Sequence, residues 1–212
     1  DNHEQGKYDQ IVEPKFSPDS QHFAYIARKN NKDFVVLDGK EEERYNEINE
    51  FTLTFSPNSQ HLAYIAKESN KEIIVLDGKE EERYDDIDSL TFSPDSQHLA
   101  YWAYEGNKYF VVLDRKEGKK YDGVSYPTFS PNSQHFAYIV WKSNKSFVVL
   151  DGKEGKRYDD IYKLTFNSNS QHLAYIAKDG NKEFVVLDGK EGKKYDQIWG
   201  PTFTSDSQHL IY

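Results

Sequence analysis

The stretch LTFNSNSQHLAYIAKDGNKEFVVLDGKEGKKYDQI, residues 164–198, decides the fold. Leu164-Thr-Phe166 reads as a first strand, followed by a tight turn over residues 167–170. Residues 172–178 read as a second strand, and Asp179-Gly-Asn-Lys182 as the next turn. Residues 184–187, Phe-Val-Val-Leu, suit a third strand because β-branched and aromatic side chains pack well on a pleated surface. Asp188-Gly189 then signals a hairpin, since Gly adopts positive φ at no steric cost. A polar fourth strand is expected over residues 193–198, and Gly200-Pro201 leads into another unit.

The unit recurs along the chain. Ser-Gln-His occurs six times, with His at 22, 61, 98, 135, 172 and 209. The spacing is 37 residues except for a first interval of 39, whose two extra residues fall within residues 49–53. Leu-Asp recurs, ending at Asp38, Asp77, Asp114, Asp151 and Asp188. In four copies the first turn is Ser-Pro-Asp/Asn-Ser, where Pro presets φ for a type I turn. No stretch carries the 3.6-residue apolar period of a helix. Four short strands per repeat predict an all-β fold, a β-propeller of four-stranded antiparallel blades. Complete units are expected at 16–48, 53–87, 90–124, 127–161 and 164–198 of a single domain spanning 1–212. The chain is roughly a dozen residues short of six full repeats. Six blades are therefore expected, with a thin closing blade built from 7–11 and 202–212. The alternative is five blades with overhanging ends.

Two segments carry a family resemblance. Thr91-Phe-Ser-Pro-Asp-Ser-Gln-His-Leu-Ala-Tyr101 and Phe184-Val-Val-Leu-Asp-Gly189 resemble the WD-repeat-like propeller repeats of bacterial TolB-type proteins. The resemblance covers essentially the whole chain. It implies six or seven blades, a role in binding proteins and a periplasmic or extracellular location; some members form the non-catalytic propeller of serine peptidases. The chain departs from the usual Ser-Pro-Asp-Gly turn by carrying Ser in the fourth position. Ser168 and Ser205 replace the Pro in the last two copies.

Composition narrows the function. A net charge of −9 repels nucleic-acid backbones and anionic membranes overall, so neither is an expected partner. No apolar run approaches the roughly 20 residues of a membrane-spanning helix. There is no Cys, which excludes disulfides and thiolate metal sites without identifying a compartment. The chain opens on Asp1 rather than Met, so a processed or trimmed start is expected.

Comparing the repeats with each other points to a site. In a four-stranded meander the 1–2 and 3–4 turns share one rim, and the 2–3 turns share the other with the blade connections. The first rim is nearly invariant; the second varies. Where other blades place Arg28, Lys67 and Lys178, blades three and four place Tyr104 and Trp141. Trp102 replaces a repeated Ile, and Tyr109 an acidic or small residue. Tyr126, Tyr162 and Trp199 occupy connections that are polar elsewhere. Aromatics in place of charged side chains make an amphipathic contact surface, so these seven are the candidate partner-binding residues. The competing reading is that they fill gaps between blades. The expected function is a non-catalytic binding scaffold for a protein or peptide. Alternatives are a carbohydrate-binding module, or a self-assembling unit joined through its closing blade.

Other motifs read as structural. The six repeated His are expected to bond a backbone or Ser group near the turn rather than a metal, and His3 to be a terminal residue without a role. Asp-Gly-Lys-Glu lacks the alternating oxygens of a calcium loop. Arg115, in a turn position held elsewhere by Gly, is expected to cost about 1 kcal/mol if φ is positive. Gly123-Val-Ser-Tyr-Pro127 lacks the second Gly of a nucleophile elbow. No catalytic residues, cofactor or metal are expected.

Overall fold

The computed structural model describes residues 7–207 and 209–212, so the expectation for His3 lies outside the described residues. Blade one comprises β1 (Gln10–Phe16), β2 (Phe23–Lys29), β3 (Lys32–Leu37) and β4 (Lys40–Tyr45). In blade two the first strand is split into β5 (Glu47–Ile48) and β6 (Thr54–Phe55). They precede β7 (Leu62–Glu68), β8 (Lys71–Leu76) and β9 (Lys79–Tyr84). Blade three is β10 (Asp86–Phe92), β11 (Leu99–Glu105), β12 (Lys108–Leu113) and β13 (Lys116–Glu117). Blade four is β14 (Gly123–Phe129), β15 (Phe136–Lys142), β16 (Lys145–Leu150) and β17 (Lys153–Glu154). Blade five is β18 (Asp160–Phe166), β19 (Leu173–Asp179), β20 (Lys182–Leu187) and β21 (Lys190–Glu191). A two-stranded sixth sheet, β22 (Thr202–Phe203) and β23 (Leu210–Ile211), follows. Among the described residues every strand pairing is antiparallel and, apart from β5 and β6 sharing β7, sequential, which is the propeller meander.

The second and third strands are apolar on both faces because a neighbouring blade covers each face. Large residues oppose small ones across the pair: Ala27 faces Phe34, Ala103 faces Phe110 and Ala177 faces Phe184. One core lies at each junction. Between blades one and two, Ala24, Ile26 and Val35 meet Ile48, Leu62 and Tyr64. Between blades five and six, Ala174, Ile176 and Val185 meet Ile198, Phe203 and Leu210. Tyrosines ending one blade reach a glutamate of the next: Tyr84 to Glu117, Tyr121 to Glu154 and Tyr158 to Glu191.

Strand boundaries differ from the expectation in one consistent way. The Ile that was expected to close each unit opens the next sheet instead, as Ile87 opposite Ala103 and Ile161 opposite Ala177 show. One residue further on, a β-bulge leaves Ser89–Leu90 and Lys163–Leu164 out of register inside the first strand, so the stretch reads as a connection in sequence. By the same rule the end of Lys7–Ile11, expected in the closing blade, belongs to blade one. Gln10 and Ile11 open β1 and oppose Arg28 and Ala27. Among the described residues, β22 and β23 pair only with each other.

The invariant rim is held by local and inter-blade hydrogen bonds. In the 3–4 turn, Asp38 and Gly39 both have positive φ, 52° and 80°, the geometry for which Asp-Gly is selected. The histidines bond these aspartates rather than a backbone or Ser group. His22 Nδ1 lies 2.7 Å from Asp38 Oδ2, while the Phe23 N–H donates to Asp38 Oδ1 at 2.9 Å. The same pair forms at His61–Asp77, His98–Asp114, His135–Asp151 and His172–Asp188. The carboxylate is what both donors need, which explains why Leu-Asp and Ser-Gln-His recur together.

The unusual Ser of the 1–2 turn also has a reason. Its φ is positive in every copy, near 60°, where Gly would be less strained. Its hydroxyl, however, accepts a backbone N–H from the preceding blade: Asp19 to Ser59, Asn58 to Ser96, Asp95 to Ser133 and Asn132 to Ser170. At the last junction Ser207 meets Ser168 instead. Gly could not make that stitch.

Candidate functional site

The first strands break register between Val12 and Lys15, Asp88 and Thr91, Ser125 and Thr128, and Tyr162 and Thr165. Each bulge holds one residue at positive φ: Glu13, Ser89, Tyr126 and Lys163, with Gly200 at the start of the sixth sheet. The bulge re-aims a side chain at a fixed place in every blade, and that place carries a different residue each time. A bulky Tyr at φ 54° is unusual, since the left-handed region costs a non-Gly residue roughly 1–2 kcal/mol.

In blade two the two-residue insertion turns this bulge into a 3-10 turn over Glu50–Thr52. Asn49 caps it by accepting the Phe51 N–H, and Thr52 Oγ1 accepts the Ile65 N–H, so the split strand stays tied to β7. Phe51 is left 89% exposed, the largest value among the exposed apolar residues described. The sequence comparison located the insertion but did not single out Phe51. An extra pair of residues confined to one bulge was the available signal.

The seven aromatics lie between mid-strand and the rim of the 2–3 turns, none on the His–Asp rim. They divide into two kinds. Trp102 and Tyr104 both touch Tyr109, with ring centroids 5.5 Å apart for Trp102–Tyr109 and 4.6 Å for Tyr104–Tyr109. Trp102 and Tyr109 also pack on Val111, Val124 and Val140 between blades three and four. Trp141 packs in the junction of blades four and five, opposite Gly123, where a β-carbon would come within 3.4 Å of its ring. Tyr162 is half-buried beside Ile176 and Ile198, and burial with a hydrogen bond to Glu183 pushes its phenol well above the ordinary range. These five fill gaps with part of their surface. Tyr126 and Trp199 do not; they are 59% and 87% exposed.

Two cavities open at the bulges. One of about 540 Å³ joins Trp102 and Tyr126 with Asp88, Leu90 and Pro127. Another of about 390 Å³ joins Phe51 and Glu50 with Arg28, Lys67 and Glu72. The mix of aromatic faces and charges suits an amphipathic ligand. Ser125 of the elbow-like motif lies in β14 opposite Ile139, its buried hydroxyl unpaired in the structure. No group of three metal-ligating side chains occurs among the described residues.

No protein-family model and no curated protein matches the chain. The solved structures similar to it are β-propellers. A eukaryotic initiation factor aligns at a TM-score of 0.56 and 16% identity, over 96% of this chain and 61% of that one. The β-propeller domain of the trilobed protease from Pyrococcus furiosus aligns at 0.53 and 12% identity, over 87% of this chain and 70% of that one. TolB from Acinetobacter baumannii aligns at 0.48 and 16% identity; the match covers 89% of this chain but spans only 56% of TolB. At such identities the likeness shows the fold, a β-propeller, and the neighbours include both TolB and peptidase propellers.

Proposed function

We propose that the chain is a binding propeller that recognises a protein or peptide through the rim of bulges and 2–3 turns. One observation carries this reading. Phe51 in blade two, Tyr126 in blade four and Trp199 in blade six are exposed aromatics at or beside the first-strand bulge, where blades one and three carry Val12, Glu13, Asp88 and Ser89 and blade five carries the half-buried Tyr162. Exposed large aromatics on one rim, two of them lining cavities at the bulges, are the composition of an interface centre rather than of a solvated edge. The half-buried Trp102, Tyr104, Tyr109, Trp141 and Tyr162 fix the floor from which they project. The reading makes the site non-catalytic. The resemblance to TolB-type repeats favours a periplasmic or extracellular setting, which cell fractionation tests.

The test is affinity capture from native extract with the wild type, a Phe51→Ser/Tyr126→Ser/Trp199→Ser variant, and a Gln97→Ala control on the opposite rim. A specific protein retained by wild type and control but lost by the triple variant, with unchanged unfolding, supports the reading. Retention by all three sinks it. A glycan-array signal that needs the same aromatics would instead make the ligand a saccharide.

A further inference from the structure

The grooves of the His–Asp rim repeat as the blades do, and one lacks a part that its neighbour has. Between blades two and three the Glu81 side chain is only 4% exposed, and Arg115 Nε donates to its Oε1 at 2.8 Å. Arg115 holds the turn position that is Gly39, Gly78, Gly152 and Gly189 in the other blades, and it tolerates φ 65° there. One junction earlier the repeat of Glu81 is Glu42, and the residue facing it is Gly78. A β-carbon on Gly78 would lie 3.4 Å from Glu42 Oε1. In blades three, four and five the glutamate itself is replaced, by Gly118, Gly155 and Gly192. Carboxylate and guanidinium thus occur together at one junction, and at the first junction the carboxylate makes no ion pair among the described residues.

Glu42 is hydrogen-bonded but not ion-paired. Its Oε2 accepts the Tyr64 hydroxyl at 2.9 Å, and no ion pair reaches it among the described residues. Burial raises its pKa above the ordinary carboxylate range. The nearby acids are engaged: Glu41 with Lys7 and Arg44, Asp77 with His61. Lys40 lines the groove and its charge acts on Glu42 through space, but it makes no ion pair with it, just as its counterpart Lys79 leaves the contact with Glu81 to Arg115. The first groove measures about 680 Å³ against about 330 Å³ where Arg115 is present.

We propose that the groove between blades one and two is a subsite for a guanidinium group, the arginine side chain of a peptide or protein, held by Glu42 as Arg115 is held by Glu81. A planar guanidinium suits a carboxylate better than an ammonium does, because its donors are fixed in a fork. The subsite lies on the opposite rim from the exposed aromatics and stands independently of what they bind.

Isotope-labelled protein titrated with Nα-acetyl-arginine amide, with Nα-acetyl-norleucine amide as control, tests this by NMR. Saturable shifts at the Gly78 and Glu42 amides are expected with the arginine probe alone. Glu42→Gln should weaken binding about tenfold or more, given the cost of losing one partner of a buried charge pair. Gly78→Arg should abolish it by supplying the cation from within, and Arg115→Gly should open a second site at Glu81. No saturable shift at Gly78, or shifts that survive both Glu42→Gln and Gly78→Arg, would overturn the proposal. Failure of Arg115→Gly to gain a site would remove Glu81–Arg115 as its template.

Discussion

On one rim His98 and Asp114 recur as the same pair in blade after blade, each aspartate taking a histidine and a backbone N–H. On the other, the place of Tyr126 is held by Glu13, Ser89 and Lys163. Both rims belong to the same strands and the same repeats, so a shared history does not explain the contrast. The first rim is constrained because its side chains complete the backbone's hydrogen bonds. The second rim keeps a repeating part as well, Asp9, Asp85, Asp122 and Asp159 each accepting a backbone N–H of a 2–3 turn, and it diverges at the bulge beside that part. Residues that hold a blade together must repeat; residues that meet a ligand need not.

Substitutions on the two rims should therefore separate stability from binding. The largest loss is expected for Ser93→Ala. Ser93 is fully buried, donates to Asp95 and accepts the His98 N–H, so its removal should cost about 1–3 kcal/mol in denaturant unfolding. A loss below that range would mean the rim is less cooperative than its repetition suggests. Next comes the inter-blade stitch. Ser133→Ala forfeits the bond from Asp95 while keeping the strained φ of 62°, and should cost about 1 kcal/mol. Ser133→Gly loses the same bond but relieves roughly that much strain, and should fall near zero. Equal losses for the two would refute the account of why Ser stands here.

The His–Asp pairs predict a shallower effect. Asp38 raises the pKa of His22, so that contribution is present below the ordinary His value and fades as pH rises through the raised one. His22 in turn lowers the pKa of Asp38, whose contribution fades as pH falls through the depressed value. The melting-temperature gap between wild type and Asp38→Asn should peak near about pH 5 and shrink on both sides. A gap constant with pH would count against the ion pair. Smallest of all, Tyr126→Ser with Trp199→Ser should leave unfolding within about 0.5 kcal/mol of wild type. A larger loss would move these aromatics from the ligand-facing class to the packing class.

The architecture was legible because its signals are local. The 37-residue period, Asp-Gly turns and twin apolar strands each lie within a few residues. Strand ends were misjudged where locality fails. A bulge breaks the period-two pattern, so Ile87 and Ile161 looked like the end of one unit when they begin the next. The Ser59 stitch and the Glu81–Arg115 pair were invisible for a related reason. Their partners sit a whole repeat away, and nothing in a single unit records what its neighbour donates. Of the candidate site, the divergence among copies on one rim was legible. Exposure was not, so Phe51 was overlooked while Trp102, half-buried between blades, was selected.

The stitch between turns has a direction. Each of the first four junctions takes an amide from the earlier blade and a hydroxyl from the later one, and the unit between two junctions carries one of each. A tandem copy spliced into the interior would arrive with matching ends, like an extra link with its own hook and eye. Lengthening such an array by duplication would ask little new of existing neighbours, leaving the bulged residues of the newcomer free to drift.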